Sequence, residues 1–469
     1  MVTRLSPVDA SFYRLENSAT PMYVGSLSIL RRPRGGLSYD KLLATVEQRL
    51  PHVPRYRQKV RELGIGVDRP VWLDDRDFDI TYHVRRSALP SPGSDEQLHE
   101  MIARLAARPL DKSRPLWEMY LVEGLSDNRI ALYTKSHQAL INGMTAVEIG
   151  HVIADRTRRP PPSPEDIWLP ERDPGNMRLL LGAVGDLISR PGAQARALGS
   201  AVAGLATDSG QLLQAGRRAF DIARTLARGT APNSPLNVAV SRQRRFTVAS
   251  GSLTDYRLVR SRYDCDVNDV VLAVIAGALA NWLMSRGETA SPTATVRAMA
   301  PLPVYADGGL DATGPGQAIS DVAPFLVDLP VGEGNAVVRL SQIAHATESN
   351  PTAGSLVDAQ TIVMLSGFAP PTLHAMGIRV ATSLSARLFN LLITNAPGAQ
   401  SQMYIAGAKL LETYAVPPLL HNQVLAISVT SYNGMLYFGI NADRDAMSDV
   451  DMLPALLDQS LEELLEASR

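Results

Sequence analysis

The chain has 469 residues, of which 46 are basic and 47 acidic, so its formal net charge is −1. Hydrophobic residues make up 45% of the chain and charged residues 20%, a composition that favours a globular fold and argues against intrinsic disorder. The balanced charge, without a basic motif interleaved with aromatic residues, excludes strong nucleic-acid binding. Cys265 is the single cysteine, which excludes an intramolecular disulfide and a multi-cysteine zinc site.

Two features bear on the compartment. Charged residues interrupt the first 16 residues, so a signal peptide with an apolar core is not indicated. The longest uncharged apolar run, residues 270–284, is shorter than the roughly 18 residues expected of a transmembrane helix. We therefore expect a cytoplasmic protein that does not span a membrane.

The first part of the chain, residues 1–157, mixes two hydrophobic periodicities. Helical spacing predicts helices over residues 39–49 and 96–107. Alternation of apolar and polar residues predicts strands over residues 22–30, 116–125 and 129–136. Such a mixture predicts an α/β or α+β domain.

A connection, residues 158–234, follows. It opens with RRPPPSPEDIWLPERD, whose prolines and charges predict an extended segment. An alanine-rich amphipathic helix is predicted next, with Arg217, Arg224 and Arg228 on its polar face. Two interpretations remain open: the arginines face water, or the helix lies on anionic lipid, which attracts helices with apolar and basic faces.

The last part, residues 235–469, predicts a second mixed domain. We expect helices over residues 268–286 and 450–467, where apolar residues recur at helical spacing. Strands are expected over residues 424–431 and 435–441.

The chain lacks most of the motifs that mark common enzyme classes. It has no HExxH pair, no histidine–cysteine cluster with zinc spacing, and no GxSxG turn. It also lacks a GxxxxGK[ST] loop and a GxGxxG at a strand–helix junction. We therefore expect no metal site and exclude ordinary serine hydrolases, P-loop ATPases and nicotinamide dehydrogenases.

One of the eight histidines, His137, has an informative position. It ends a predicted strand and is followed by QALING, so a turn at Gly143 separates it from a predicted helix. Strand ends that lead into turns are where a rigid scaffold presents reactive side chains. An isolated histidine in such a place is also compatible with a hydrogen-bonding role in the core.

The stretch HQALING resembles the HHxxxDG motif of the bacterial wax ester synthase/acyl-CoA:diacylglycerol acyltransferase family, within the CoA-dependent acyltransferase superfamily. Further segments are similar to that family in the same order along nearly the whole chain. They are LSPVDASFYRLENSATPMYVGSLSIL, RPLDKSRPLWEMYLVEGL, SPLNVAVSRQRRF, DVNDVVLAVIAGAL and TNAPG.

The resemblance implies a fold of two chloramphenicol-acetyltransferase-like domains with a site channel between them. It implies transfer of a fatty acyl group from acyl-CoA to the hydroxyl of diacylglycerol or of a long-chain alcohol. Acyl-CoA is then a substrate, and no cofactor is expected. Apolar lipid substrates also imply peripheral contact with a membrane or a lipid droplet.

The resemblance assigns roles residue by residue. His137 matches the first histidine of the motif, and Gln138 stands where the family has the histidine that acts as general base. Asn142 replaces the motif's aspartate, and Gly143 is retained. Asn268, Asp269 and Asn395 match segments expected to support the site from the second domain, although Asn268 and Asp269 are also compatible with capping the helix that follows.

The glutamine at the base position leaves three interpretations open. An amide does not titrate in the physiological range, so Gln138 can bind a hydroxyl but cannot remove its proton. In the first interpretation His137 acts as the base, or turnover relies on binding and orientation alone. In the second the protein binds acyl-CoA or lipid without catalysis. In the third the acceptor is acidic enough to need no base.

Overall fold

The computed structural model describes residues 3–62, 70–141, 149–159, 168–171, 174–175, 231–288, 291–303, 322–348 and 388–469. Two large β-sheets, each with helices packed on it, form two lobes with separate hydrophobic cores. A small sheet of three strands flanks the first lobe.

The strands of the described chain are β1 (Thr3–Arg4), β2 (Tyr23–Arg31), β3 (Gln58–Arg61), β4 (Val71–Asp74), β5 (Val84–Ala88), β6 (Trp117–Glu123), β7 (Arg129–His137), β8 (Ala154–Asp155), β9 (Arg244–Ser252), β10 (Val296–Pro303), β11 (Val322–Leu329), β12 (Leu391–Pro397), β13 (Tyr404–Ile405), β14 (Ala408–Val416), β15 (Leu425–Tyr432) and β16 (Met435–Asp443). The helices are α1 (Pro7–Leu15), α2 (Tyr39–Arg49), α3 (Ile80–His83), α4 (Asp95–Ala107), α5 (Gln138–Ile141), α6 (Ile149–Val152), α7 (Leu253–Tyr263), α8 (Val267–Ser285), α9 (Ala336–Glu348) and α10 (Leu453–Ser468).

The first sheet has the order β5-β6-β7-β2-β14-β13-β8, and the second has the order β11-β10-β12-β15-β16-β9. Within the first, β5 and β6 are parallel and the central strands antiparallel. β13 and β14 come from the C-terminal part of the chain but pair in the first sheet. The first sheet is thus built from both ends of the chain. The division into residues 1–157, 158–234 and 235–469 describes consecutive segments of the sequence, and as a division into domains it stays a prediction.

Local sequence explains where the main helices begin. Ser94 caps α4 by accepting from the Gln97 amide, while the Gln97 side chain accepts from the Ser94 amide, a reciprocal pair that satisfies two otherwise orphaned donors. Asp266 and Asp269 form the same arrangement at the start of α8.

Helix α8 is the core of the second lobe. It has the length and hydropathy of a membrane-spanning helix, but 83% of its most apolar window is buried inside the protein. It packs against α7, α9 and α10, so neighbouring helices account for its apolar surface.

The predicted strands and helices of the two mixed parts of the chain are confirmed, with ends that shift by a few residues. The closing helix begins later than expected, because Val450–Met452 forms a 3₁₀ turn. The α-helix α10 starts after that turn, with Pro454 in its first turn, where a proline is tolerated. The predicted amphipathic helix with Arg217, Arg224 and Arg228 lies outside the described residues, as does most of the proline-rich segment.

The lobes meet where β14 lies against the second sheet. Three side chains of that sheet contact backbone carbonyls along or just after β14: Tyr437 Oη donates to Leu411 O over 3.1 Å, Ser428 Oγ to Ala415 O over 2.6 Å, and Asn441 Nδ2 to Pro417 O over 2.7 Å. Buried backbone carbonyls require such partners. Polar side chains of the second sheet therefore satisfy carbonyls of a strand that belongs to the first.

β14 and β16 approach closely because β16 has a glycine, Gly439, where it faces β14. A Cβ at Gly439 would lie 1.9 Å from the Ala415 carbonyl oxygen, far inside van der Waals contact. We expect Gly439→Ala to reduce the free energy of unfolding by about 3 kcal/mol, since backbone of β14 held by β2 must shift. Urea denaturation of the purified chain measures this loss.

Gly334→Ala is the matched control, since no heavy atom lies within 4 Å of its Cβ position. We expect it to change the unfolding free energy by less than about 0.5 kcal/mol. Equal effects of the two substitutions would contradict the close packing between β14 and β16.

Candidate active site

The candidate site is built on the last residues of β7, a central strand of the first sheet. β7 pairs with β2 in a register that places His137 opposite Tyr23 and Lys135 opposite Gly25. Because directly opposed residues of antiparallel strands project to the same face, these side chains share one side of the sheet. The rings of Tyr23 and His137 meet edge to face, with their centroids 5.8 Å apart.

Lys135 fixes helix α4 on this face. Its side chain is fully buried, and Nζ donates to the carbonyls of Leu105 and Arg108 over 2.9 and 2.8 Å. Glu118 lies 3.5 Å from the same ammonium. Burial lowers the pKa of Lys135 to about 8, against the opposing effect of Glu118. With these partners Lys135 holds the end of α4 over the strand that carries His137.

His137 caps the short helix α5. Its Nδ1 accepts a hydrogen bond from the Ala139 amide over 3.0 Å, and the side chain is completely buried. The lone pair of Nδ1 is used in this bond, so the proton of a neutral ring lies on Nε2. That nitrogen faces Glu16 Oε2 at 3.7 Å. This geometry favours a positioning role for His137 over a role as a free base.

Glu16, just after α1, is a buried carboxylate with three cationic or polar neighbours. Lys112 Nζ lies 2.8 Å from Glu16 Oε2, at the edge of the site, where the lysine side chain is 43% exposed and the glutamate 6%. Burial opposes ionisation of Glu16, but His137, Lys112 and Tyr23 outweigh it and lower its pKa to about 2. Glu16 is therefore an anion at neutral pH and faces the Nε2 side of the His137 ring.

Gln138 begins α5, directly beyond the end of β7. Its backbone amide donates to the carbonyl of Met22 over 2.9 Å, which continues the pairing of β7 with the β2 side of the sheet. Gln138 is half-buried, whereas His137 beside it is fully buried. The structure thus makes the first motif position an internal support and leaves the second one partly accessible.

A second support acts on the opposite face of β7. Tyr56 is buried, and its hydroxyl lies 3.3 Å from Ser136 Oγ and accepts from the Ile149 amide over 3.0 Å. Trp117 Nε1 donates to the Tyr56 carbonyl over 2.8 Å. Tyr56 therefore connects the strand before Gln138 to the start of α6.

The remaining predicted site residues are placed as follows. Asn142 and Gly143 lie outside the described residues. Asn268 and Asp269 are buried at the start of α8, and Asn395 lies in β12, where its backbone pairs with Val429 of β15.

Asp269 has a structural role in the second lobe. Its Oδ2 accepts from the Asp266 amide over 2.9 Å, and its Oδ1 accepts from the Thr347 hydroxyl over 2.7 Å. Burial raises the pKa of Asp269, while the Thr347 and Asp266 bonds oppose that rise. The carboxylate thus caps α8 and ties it to the end of α9. Its support of the reaction site, with Asn268 and Asn395, stays a prediction.

Sequence reasoning missed Glu16, Lys112 and Tyr56. Glu16 and Lys112 lie in segments that carry the family resemblance and Tyr56 lies outside them, and no spacing links any of the three to His137 along the chain. Their partners are contributed by distant segments, so only tertiary structure brings them to β7.

A pocket lies near this face, where the two lobes meet. Tyr23, Gly25 and Tyr133 line it from the first sheet, and Arg244 and Asn441 line it from the second. The described lining does not include Gln138. In the part of the chain that the structure describes, no group of three or more histidine, cysteine, aspartate or glutamate side chains is arranged to hold a metal ion.

Two family models match the chain in succession. Residues 5–271 match the wax ester synthase/diacylglycerol acyltransferase catalytic domain, and residues 321–465 match the C-terminal domain of the same family. The first match contains both His137 and Gln138.

Curated relatives agree with these matches. The probable diacylglycerol O-acyltransferase tgs3 of Mycobacterium tuberculosis is 79% identical over 266 residues, which cover 57% of this chain and 98% of that protein. The probable diacylglycerol O-acyltransferase tgs2 of the same organism is 32% identical over 477 aligned residues, covering 99% of both chains.

Solved structures confirm the two-domain α/β fold. The wax ester synthase/diacylglycerol acyltransferase from Marinobacter aquaeolei VT8 superposes with a TM-score of 0.71 at 27% identity, over 99% of each chain. The starter condensation domain of rhizomide synthetase, with a TM-score of 0.52 at 13% identity, shares the fold over all of this chain and 93% of that one. Family models, relatives and architecture agree, and the chain belongs to the wax ester synthase/diacylglycerol acyltransferase family.

Proposed function

We propose that the protein is an O-acyltransferase of this family that transfers a fatty acyl group from acyl-CoA to diacylglycerol or a long-chain alcohol, at a rate limited by Gln138. The observation that carries this proposal is the contrast between the two motif positions. His137 is buried, with Nδ1 bonded to the Ala139 amide and Nε2 facing Glu16, while the partly accessible position beside it carries an amide.

The residues present support binding and orientation more than proton transfer. The Gln138 amide can donate to and accept from an acceptor hydroxyl, so it orients the nucleophile toward a thioester carbonyl. As the hydroxyl oxygen bonds to the carbonyl carbon, its proton leaves and the CoA thiolate departs and is protonated. Gln138 cannot take that proton, so solvent or the departing thiolate must receive it. We propose that the reaction needs no cofactor, with acyl-CoA as its substrate.

A second function is favoured by the same glutamine. A family member that binds acyl-CoA or lipid without turnover, as a carrier or as a partner of an active relative, needs the frame of the site but not its base. Gln138 satisfies that description. The two functions differ in whether a base placed at position 138 restores turnover.

We expect Gln138→His to raise kcat for transfer from radiolabelled acyl-CoA to diacylglycerol by about 10²- to 10⁴-fold. The physical reason is that an imidazole that titrates near neutral pH can remove the hydroxyl proton, which contributes a factor of that size. Product formation is measured by thin-layer chromatography of the extracted lipid.

Gln138→Leu is the control, because it retains the bulk but removes the amide, and we expect it to be no faster than the parent. A parent that is fast and is slowed by Gln138→His would contradict the proposed limit on the rate. If no variant turns over while acyl-CoA still binds, the non-catalytic function replaces this proposal.

The role of His137 is tested by a pair of substitutions in the Gln138→His background. Asparagine places Oδ1 near the position of Nδ1 and is a favoured helix N-cap, so we expect His137→Asn to retain most of the activity. Alanine removes the cap at a cost of about 1 kcal/mol, and we expect His137→Ala to lose about fivefold in kcat.

Initial rates of both variants, compared at equal folded concentration, decide between positioning and proton transfer. If His137→Asn is as inactive as His137→Ala, and both lose more than about 10²-fold, the ring itself acts as a base.

We also propose a cytoplasmic protein in peripheral contact with a membrane or lipid droplet. The support is the amphipathic pattern with Arg217, Arg224 and Arg228 and the apolar nature of the proposed lipid substrates. We expect the chain to float with vesicles that contain anionic lipid, and a triple Arg→Gln variant to lose about 10²-fold in binding. Equal binding of both proteins would contradict a role for these arginines.

A further inference from the structure

The segment from Glu16 to Tyr23 contacts the candidate site at three points. Glu16 faces Nε2 of His137, and the ring of Tyr23 packs against the same imidazole. Between them, the carbonyl of Met22 accepts the hydrogen bond from the amide of Gln138. A shift of this segment would therefore move both motif positions together.

The segment is itself a tight turn. Asn17 Oδ1 accepts from the amides of Ala19 and Thr20 over 2.8 and 3.0 Å, and Asn17 Nδ2 donates to the Thr20 hydroxyl over 2.6 Å. Such side-chain bonds to the backbone stiffen a turn. They act within the first lobe and hold the shape of the segment, but they do not attach it to the second lobe.

That attachment comes from Arg244, the first residue of β9. Its Nη2 donates to the carbonyl of Ala19, in the middle of the turn. Its Nη1 donates to the carbonyls of Ser241 and Gln243 over 2.7 and 3.0 Å, which anchors the guanidinium in its own lobe. The arginine side chain is only 2% exposed.

The charge of Arg244 is balanced inside the second lobe. Asp443 Oδ2 lies 3.8 Å from Nη1, and its side chain is 1% exposed. Asp443 also accepts from the amide of Ser241, so its own position is fixed. Burial lowers the pKa of Arg244, and the nearby carboxylate of Asp443 opposes that change. The guanidinium nevertheless remains charged at neutral pH.

We propose that Arg244 is a positioning residue through which the second lobe holds the Glu16–Tyr23 segment, and with it His137 and Gln138, in register. The proposed effect of Arg244 on kcat rests on the proposed acyltransferase function, whereas its effect on the structure of the segment does not. A planar guanidinium can satisfy carbonyls from both lobes at once, whereas a shorter or apolar side chain leaves buried acceptors unpaired.

The test compares Arg244→Met with Arg245→Met in the full chain. Arg245 is the neighbouring residue of β9, loses the same charge, and pairs with Asp451 at an exposed position, with side chains 41% and 48% exposed. The first readout is amide hydrogen exchange under conditions where both variants are folded. We expect peptides that cover residues 16–23 and 137–141 to exchange about tenfold faster in Arg244→Met, and to be unchanged in Arg245→Met.

The second readout is kinetic and uses the Gln138→His background. We expect Arg244→Met to lower kcat by about tenfold or more with a small change in KM, because displacement of a reacting group weakens the transition state more than it weakens binding. Arg245→Met should retain both constants.

Two further variants separate a local effect from general unfolding. Arg244→Lys keeps the charge and is expected to fold and to show an intermediate rise in exchange at residues 137–141. Asn17→Ala loosens the turn from the first lobe, and its effect on that exchange should be less than additive with Arg244→Met, since both act on one segment.

The outcomes for the two proposals are distinguishable. If no variant transfers acyl groups, the proposed function fails, and the exchange data still decide the role of Arg244. If exchange at residues 137–141 is the same in Arg244→Met and Arg245→Met, or if it rises only in residues 241–252, the positioning role is overturned.

Discussion

The hydrogen bond from the Ala139 amide to Nδ1 of His137 is the interaction on which the geometry of the site depends. It uses the one lone pair of the neutral ring and directs Nε2 toward the carboxylate of Glu16. The first motif histidine is therefore buried and caps α5, a geometry that favours positioning over proton transfer. Its buried position contrasts with that of Gln138 beside it, which is partly accessible.

This arrangement is supported from several parts of the chain. Lys112 and Glu16 act from one side of the ring, and Tyr56 connects the flanking backbone on the opposite face of the sheet. The second lobe participates as well, since β14 crosses into the first sheet and Arg244 reaches the turn at Ala19. The site is thus a property of both lobes, although the motif itself lies in one.

Much of the fold was predictable, because strands and helices here follow local periodicity and capping. The central strand that ends at His137 and the apolar helix α8 are examples, each with a pattern typical of its structure. The capping role of Asp269 was open on the sequence and is now observed. The partners of His137 were not predictable, since Glu16 and Lys112 come from segments with no spacing relation to the motif.

The sequence alone determined the family resemblance and the chemical identity of the site: an amide at position 138 has no titration near neutral pH wherever it lies. Tertiary structure alone decided which groups surround the His137 ring, because Glu16 and Tyr23 come from a distant segment. It also decided that a strand from the C-terminal part joins the first sheet, since strand pairing between distant segments depends on long-range contacts that no local pattern records.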